Sequence, residues 1–190
     1  MKKTQKTRDL SFIYRLKVTL RDIKPPIWRR FEVSGQITLF KLHKILQVVM
    51  GWTDSHLHHF LVGNVCYQVP DLEFDAGAVN ETRVKLAQLP LGEKSKFYYE
   101  YDFGDSWEHE ILVEKILPPG DGNEVPVCLK GKRACPPEDI GGIWGYAEFL
   151  EAIRDPGHPD HEDMLEWVGG QFDPEAFDME EVNRNLRKIR

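Results

Sequence analysis

Alternation of apolar and polar residues predicts two pairs of strands in the first part of the chain. Residues 12–20 alternate with a period of two, and residues 27–33 do so again after the break at Pro25-Pro26. Residues 58–62 and 65–69 form a second pair around a Gly-Asn turn. Each pair is short and joined by residues that favour a chain reversal, so we expect two hairpins.

A helical repeat separates these two hairpins and predicts the first helix. Apolar residues recur at helical spacing over residues 39–50, Thr38 is a suitable N-cap and Gly51 a suitable C-terminal residue. Further helices are predicted over 146–154, over 159–168 with Pro159 in the first turn, and from Asp178 to Ile189.

Aromatic residues mark a third hairpin. Phe97, Tyr99, Tyr101 and Phe103 alternate with polar residues, and a second alternating segment, 107–116, follows the turn at 104–106. The resulting order is strand-strand-helix-strand-strand, then a hairpin, then helices. It predicts an α+β fold with a largely antiparallel sheet and C-terminal helices.

The same pattern predicts the domain organisation. Residues 1–10 are polar and basic, and we expect a disordered tail there. Residues 11–190 are expected to form one domain, with a sheet-rich part over 11–117 and loops and helices over 128–190. A segment rich in Pro and Gly separates these two parts and predicts a loop over 118–127.

Composition favours a cytoplasmic protein. The chain has 190 residues, 41% of them hydrophobic, and no apolar run approaches the roughly 18 residues of a membrane span. Three Cys are too few for a disulfide framework. Neither a Gly-rich phosphate loop nor the usual hydrolase and Rossmann motifs occur. We therefore expect no membrane partner.

Charge is divided unevenly along the chain, whose formal net charge is −6. Residues 1–50 hold 12 Lys and Arg against 3 Asp and Glu, whereas residues 51–190 hold 13 against 28. The basic first part fits a polyanionic partner, and it equally fits contact with the acidic remainder of the same chain.

Two segments hold residues suited to acid-base chemistry. On a strand, His56 and His58 share a face, and across the turn at 104–106 we expect Asp102 to lie near His109. A carboxylate beside an imidazole fixes its tautomer and can serve catalysis or orient a metal ligand. A polar rim or a structural cross-strand pair explains the same residues. The catalytic candidates are His58, Asp102, Asp105 and His109.

Thiols and imidazoles later in the chain suggest a zinc site. The candidate ligands are Cys128, Cys135, His158 and His161. Six residues separate the two Cys, which is wider than the usual two to four, and His-x-x-His is shorter than the finger spacing. Reduced, partly buried thiols are the alternative interpretation, so no cofactor is expected beyond this zinc hypothesis.

Five blocks of sequence span residues 14 to about 178. They are YRLKVTLRDIKPPIWRRFEV, MGWTDSHLHHF, YDFGDSWEHEI, CLKGKRACPPEDIGGIWGY and DPGHPDHEDMLEWVGGQFDPEAFD. Together they resemble the plasmid pRiA4b ORF-3-like family, whose members are often described as insertion-sequence passenger proteins. The resemblance implies a compact α+β domain associated with mobile elements. It implies no established biochemical activity.

These observations favour a non-enzymatic binding or accessory module. If Trp28 and Arg30 lie on the same sheet face as Arg15 and Lys17, an aromatic ring lies among cations and suits nucleic acid. A metal-dependent hydrolase using the His/Asp residues is one alternative. A protein-protein adaptor is another, and its acidic face would hold Glu162, Asp163, Glu166, Asp173 and Glu175. The sequence does not indicate an oligomeric state.

Overall fold

The computed structural model describes residues 12–70, 77–119 and 124–189. Within them, eight strands form one sheet in the order β5-β4-β3-β6-β7-β1-β2-β8. Every neighbouring pair is antiparallel except β4 and β5. The strands are β1 (Ile13–Leu20), β2 (Trp28–Ser34), β3 (His58–Val62), β4 (Val65–Gln68), β5 (Val79–Asn80), β6 (Lys96–Tyr101), β7 (Trp107–Leu117) and β8 (Val127–Lys132).

Four α-helices accompany the sheet in the described residues. They are α1 (Leu39–Met50), α2 (Gly142–Arg154), α3 (His161–Trp167) and α4 (Met179–Lys188). The predicted α+β class, the mostly antiparallel sheet and the C-terminal helices are confirmed. The predicted basic tail at 1–10 lies outside the described residues.

Local sequence signals account for the ends of two helices. The Thr38 hydroxyl accepts a hydrogen bond from the Lys41 N–H and caps α1, and Gly51 ends that helix in the left-handed region at φ 106°. At α4, the Asp178 carboxylate accepts from the Glu181 N–H. Both caps match the expected positions because they depend on residues only three positions apart.

Strand β8 is the main departure from the predicted organisation. Its residues VCLKGK were expected to be loop, since they show no sustained alternation. They pair with β2 as an edge strand, and a register shift between Arg30 and Phe31 accommodates the irregular pattern. Helix α2 begins at Gly142, four residues earlier than predicted, and α3 begins at His161.

One face of the sheet forms the hydrophobic core. Leu16, Val18 and Leu20 of β1 are buried, and so are the inward positions of α1, which include Leu42 and Leu46. Helix α4 contacts both α1 and β8, so it lies on the same face. The side chains that alternate with the core positions therefore point to the other face, where Lys17 and its neighbours are only partly covered. No helix in the described residues is long and apolar enough to cross a bilayer.

Candidate functional site

The open face of the sheet carries a row of cations that crosses five strands. In register, Lys130 of β8 pairs with Arg30 of β2, and Arg30 pairs with Lys17 of β1. On the next strand, β7, the position in register is the apolar Leu112, and the row ends at Lys96 of β6. Neighbouring strands are about 4.8 Å apart, so the row extends over roughly 19 Å.

A second row beside it supplies aromatic rings. On β2, Trp28 pairs with Lys132 of β8 on one side and with Thr19 of β1 on the other. Thr19 pairs in turn with Glu110 of β7, and Glu110 pairs with Tyr98 of β6. The Lys17 ammonium lies 5.0 Å from the centre of the Trp28 ring, and the Arg30 guanidinium carbon lies 5.5 Å from it. Trp28 is thus flanked by two cations on the open face.

Glutamates neutralise part of this cationic surface. Arg30 binds Glu114 through two hydrogen bonds of 2.6 and 2.8 Å, which lowers the pKa of Glu114 and raises that of Arg30. Further pairs join Arg15 to Glu32 and Lys96 to Glu110. Among the described residues, no carboxylate lies within 4.0 Å of the ammonium groups of Lys17, Lys130 and Lys132. These three lysines therefore contribute charge to the face that no described carboxylate neutralises.

The structure does not bring Asp102 and His109 together. Tyr99 pairs with His109 and Tyr101 with Trp107, so Asp102 lies beyond the end of β6, in the left-handed region at φ 58°. His109 points into the core, where its Nδ1–H donates to the Tyr99 carbonyl and burial lowers its pKa to about 4. The alternation in Trp107, His109 and Ile111 already indicated this inward direction.

His58 enters a buried network instead of a catalytic group with Asp102. Its ring stacks on His43 with 3.5 Å between ring centres, and its Nε2 lies 3.0 Å from Oε1 of Glu81. The Tyr99 hydroxyl donates to His43 Nδ1, and the other His43 nitrogen donates to Asp54. Burial is the main reason that the pKa of His43 falls to about 4. No local sequence pattern links Glu81 to His58 or Asp54 to His43, because each carboxylate lies outside the helix or strand that carries its histidine partner.

A cavity of about 230 Å³ opens beside this network. Its walls combine apolar side chains with imidazoles and one ion pair, between Lys44 and Asp54. The lining residues are Phe40, His43, Lys44, Asp54, His56, Leu57, His58, Gln68, Val69 and Phe103.

His56 lies just before β3 and faces three carboxylates. Its Nε2 lies 3.1 Å from Asp139 Oδ1, 3.6 Å from Asp102 Oδ2 and 3.8 Å from Glu138 Oε2. The cluster thus joins one predicted candidate, Asp102, to two carboxylates in the segment before α2 that were not singled out from the sequence.

The turn at 104–106 fixes the segment that carries Asp139. The Asp105 carboxylate accepts a hydrogen bond from the Gly141 N–H, so this candidate has a structural partner. Gly142 lies against the same turn, where a Cβ atom would come within 2.5 Å of the Asp105 carbonyl oxygen. Only glycine fits this approach, and it brings Asp139 next to the end of β6.

The four predicted zinc ligands are not assembled. The Cys128 thiol lies near the Arg30 and Lys130 carbonyls, and His161 Nδ1 donates to the Ala152 carbonyl. His158 accepts a hydrogen bond from the Asp160 N–H, and burial raises the pKa of Cys135. Within the described residues, the one group of three or more ligand atoms with metal-binding spacing is His56, Asp102 and Asp139.

Fold and surface define an α+β domain built on one broad, mostly antiparallel sheet, one face of which is only partly covered by the described residues. The family model of plasmid pRiA4b ORF-3-like proteins matches residues 12–181, and the chain belongs to this family. Its relatives include the uncharacterized protein y4hQ of Sinorhizobium fredii, which is 45% identical over 175 residues, covering 90% of this chain and 89% of that protein.

A solved structure has the same fold. The crystal structure of MM3350 from Methanosarcina mazei Go1, described as a protein of unknown function, superposes with a TM-score of 0.83 and 41% identity. The match covers 90% of this chain and 97% of that one. Neither relative brings an established activity, so a function has to be argued from the surface and the side chains.

Proposed function

We propose that this protein is a non-enzymatic module that binds single-stranded nucleic acid on the open face of its sheet. The observation that supports the proposal is the cationic row Lys130–Arg30–Lys17, which runs in register beside the Trp28 ring. Phosphate groups would contact the row, and a base would stack on the aromatic ring.

The shape of the surface favours a single strand over a duplex. A sheet face presents aromatic rings to unstacked bases, whereas duplex grooves are read by a helix or a ribbon that enters them. Trp28 and Tyr98 lie on this face and are separated by two intervening strands, β1 and β7. At about 4.8 Å per strand they are roughly 14 Å apart, which leaves room for bases between them.

Electrostatics limit the strength of the interaction. Three lysines on the face have no acidic partner among the described residues, and the whole chain carries a net charge of −6. Three phosphate contacts predict a slope of about −2 for log K against log salt with a single strand. Affinity is therefore expected to be modest and to fall as salt rises.

Fluorescence anisotropy with a labelled 20-nucleotide single strand, DNA or RNA, measures this directly across a salt series. Lys17→Glu is expected to weaken binding by roughly tenfold at low salt, because it replaces an attraction to phosphate with a repulsion. Trp28→Leu is expected to reduce affinity for the strand without reducing the salt slope, because a stacked ring contributes no ion release.

The matched control is Lys188→Glu, which makes the same charge change in the last turn of α4, a helix packed on the other face. It should bind as the unchanged protein does. The proposal is wrong if anisotropy does not change at low salt, if affinity is independent of salt, or if both charge reversals weaken binding equally.

A further inference from the structure

We infer that His56, Asp102 and Asp139 hold a divalent metal ion, with Zn²⁺ the preferred ion. The ligand atoms of these three residues lie within 4.8 Å of one another and come from three separate segments of the chain. This site uses none of the residues of the cationic row, so it stands independently of nucleic-acid binding.

The imidazole of His56 is the first argument for a bound cation. Its Nε2 is closed off from solvent and has no hydrogen-bond partner among the described residues, although carboxylate oxygens surround it. A buried nitrogen without a partner costs free energy. A metal ion between the nitrogen and the carboxylates would satisfy all of them.

Asp102 is the second argument, because its carboxylate is fixed and points into the cluster. Its side chain is only 9% exposed. Oδ1 accepts hydrogen bonds from the Gly104 and Asp105 N–H groups, and within the described residues Oδ2 receives none. The turn thus orients one oxygen and leaves the other, 3.6 Å from His56 Nε2, available as a ligand.

Glu138 lies beside the three ligands and is held there by hydrogen bonds. The Thr53 N–H and hydroxyl both donate to its Oε1, and the Tyr101 hydroxyl lies within 3.3 Å of both oxygens. Its Oε2 stays 3.8 Å from His56 Nε2. Glu138 therefore holds a fourth ligand atom, or a partner for a bound water molecule, beside the three primary ligands.

The distances fit the coordination of a small ion. Zinc bonds of about 2.0–2.1 Å in a tetrahedron place neighbouring ligand atoms about 3.3 Å apart. The separations of 3.1 and 3.6 Å from His56 Nε2 lie on either side of that value. An imidazole among the ligands favours Zn²⁺ over Mg²⁺ or Ca²⁺, which prefer oxygen alone.

The test is calorimetric titration of the metal-free full chain with Zn²⁺ alone and with Mg²⁺ alone, with metal content measured by elemental analysis after dialysis. We expect one Zn²⁺ per chain and a stronger response to Zn²⁺ than to Mg²⁺. Asp139→Asn and His56→Gln should each weaken Zn²⁺ binding by more than about tenfold. The Asp139 side chain is 68% exposed, so its replacement leaves the fold intact.

Matched controls are Asp160→Asn and His158→Gln, which alter an exposed Asp and a partly exposed His outside the cluster. They should bind Zn²⁺ as the unchanged protein does. Absence of Zn²⁺ binding overturns the inference. The inference is also overturned if Cys128→Ser or His161→Gln abolishes Zn²⁺ binding while Asp139→Asn binds as the unchanged protein does. That result would instead favour the Cys and His ligands predicted from the sequence.

Discussion

Replacing Arg29 with methionine is expected to lower the free energy of unfolding by about 3–5 kcal/mol. The Arg29 side chain is buried, and it donates hydrogen bonds to three backbone carbonyls. Nε–H donates to the Val49 carbonyl at 2.7 Å, and Nη1 donates to the carbonyls of Trp28 and Lys132, both at 2.9 Å. Arg29 therefore ties the end of α1 to β2 and β8.

Methionine can fill much of the space of the arginine stem, but it donates no hydrogen bond. A buried carbonyl left without a donor, such as that of Val49, costs about 1–3 kcal/mol, and the two partly buried carbonyls cost less. Part of this loss is returned because no charge has to be desolvated. The contact of the guanidinium with the Phe177 ring, 4.2 Å from its centre, is lost as well. Burial lowers the pKa of Arg29, which shows that the charge is held there at a cost in hydration.

Urea unfolding followed by tryptophan fluorescence measures the effect. The control is Arg30→Met, one residue along the same strand, where the guanidinium is partly exposed on the open face and pairs with Glu114. We expect a loss of about 1 kcal/mol or less there. Equal losses in the two variants would show that Arg29 contributes no more than a surface arginine.

Stability is expected to fall steeply as the pH is lowered from 6.5 towards 4, because His109 and His43 are held neutral in the folded state. The pKa of each is lowered to about 4, chiefly by burial. In the unfolded chain the two histidines bind protons as the pH falls below about 6.5, whereas in the folded protein they stay neutral until about pH 4. Lowering the pH through this window therefore favours the unfolded state, and above it the two histidines cause no loss of stability. Each histidine contributes a slope of about 1.4 kcal/mol per pH unit within this window.

Urea unfolding at several pH values between 7.5 and 4.5 tests this expectation. His109→Phe removes one titrating group from the core and should halve the slope between pH 6.5 and 5. Two carboxyl groups, Asp54 and Glu114, also have lowered pKa values, but their contribution is lost only below their ordinary range near pH 4. A stability that does not depend on pH in the unchanged protein would contradict the prediction.

Features of the fold that depend on nearby residues could be predicted from the sequence. Helix α1 follows from a helical repeat, a Thr N-cap and a terminal Gly, all within residues 38–51. The hairpin of β6 and β7 follows from two alternating segments around a short turn. The inward direction of His109 was also readable from the alternation, although its pairing with Asp102 was expected instead.

Strand β8 could not be recognised from its own pattern, because an edge strand with a register shift lacks a regular apolar face. Its position matters for the cationic row, since Lys130 enters the row only through pairing with Arg30. The sequence did not indicate that His56, Asp102 and Asp139 converge, because they lie before β3, after β6 and before α2, and no spacing along the chain relates these three segments.

Periodicity, caps and turns act over a few residues, so most of the helices and strands and the α+β class follow from local sequence, and the five blocks that run through most of the chain identify the family. Which distant side chains meet depends on the packing of the whole fold. Strand order and register placed Trp28 between two cations, and one glycine contact brought Asp139 to Asp102. Such contacts depend on how whole strands and loops pack, a non-local property that the pattern within any single segment does not contain.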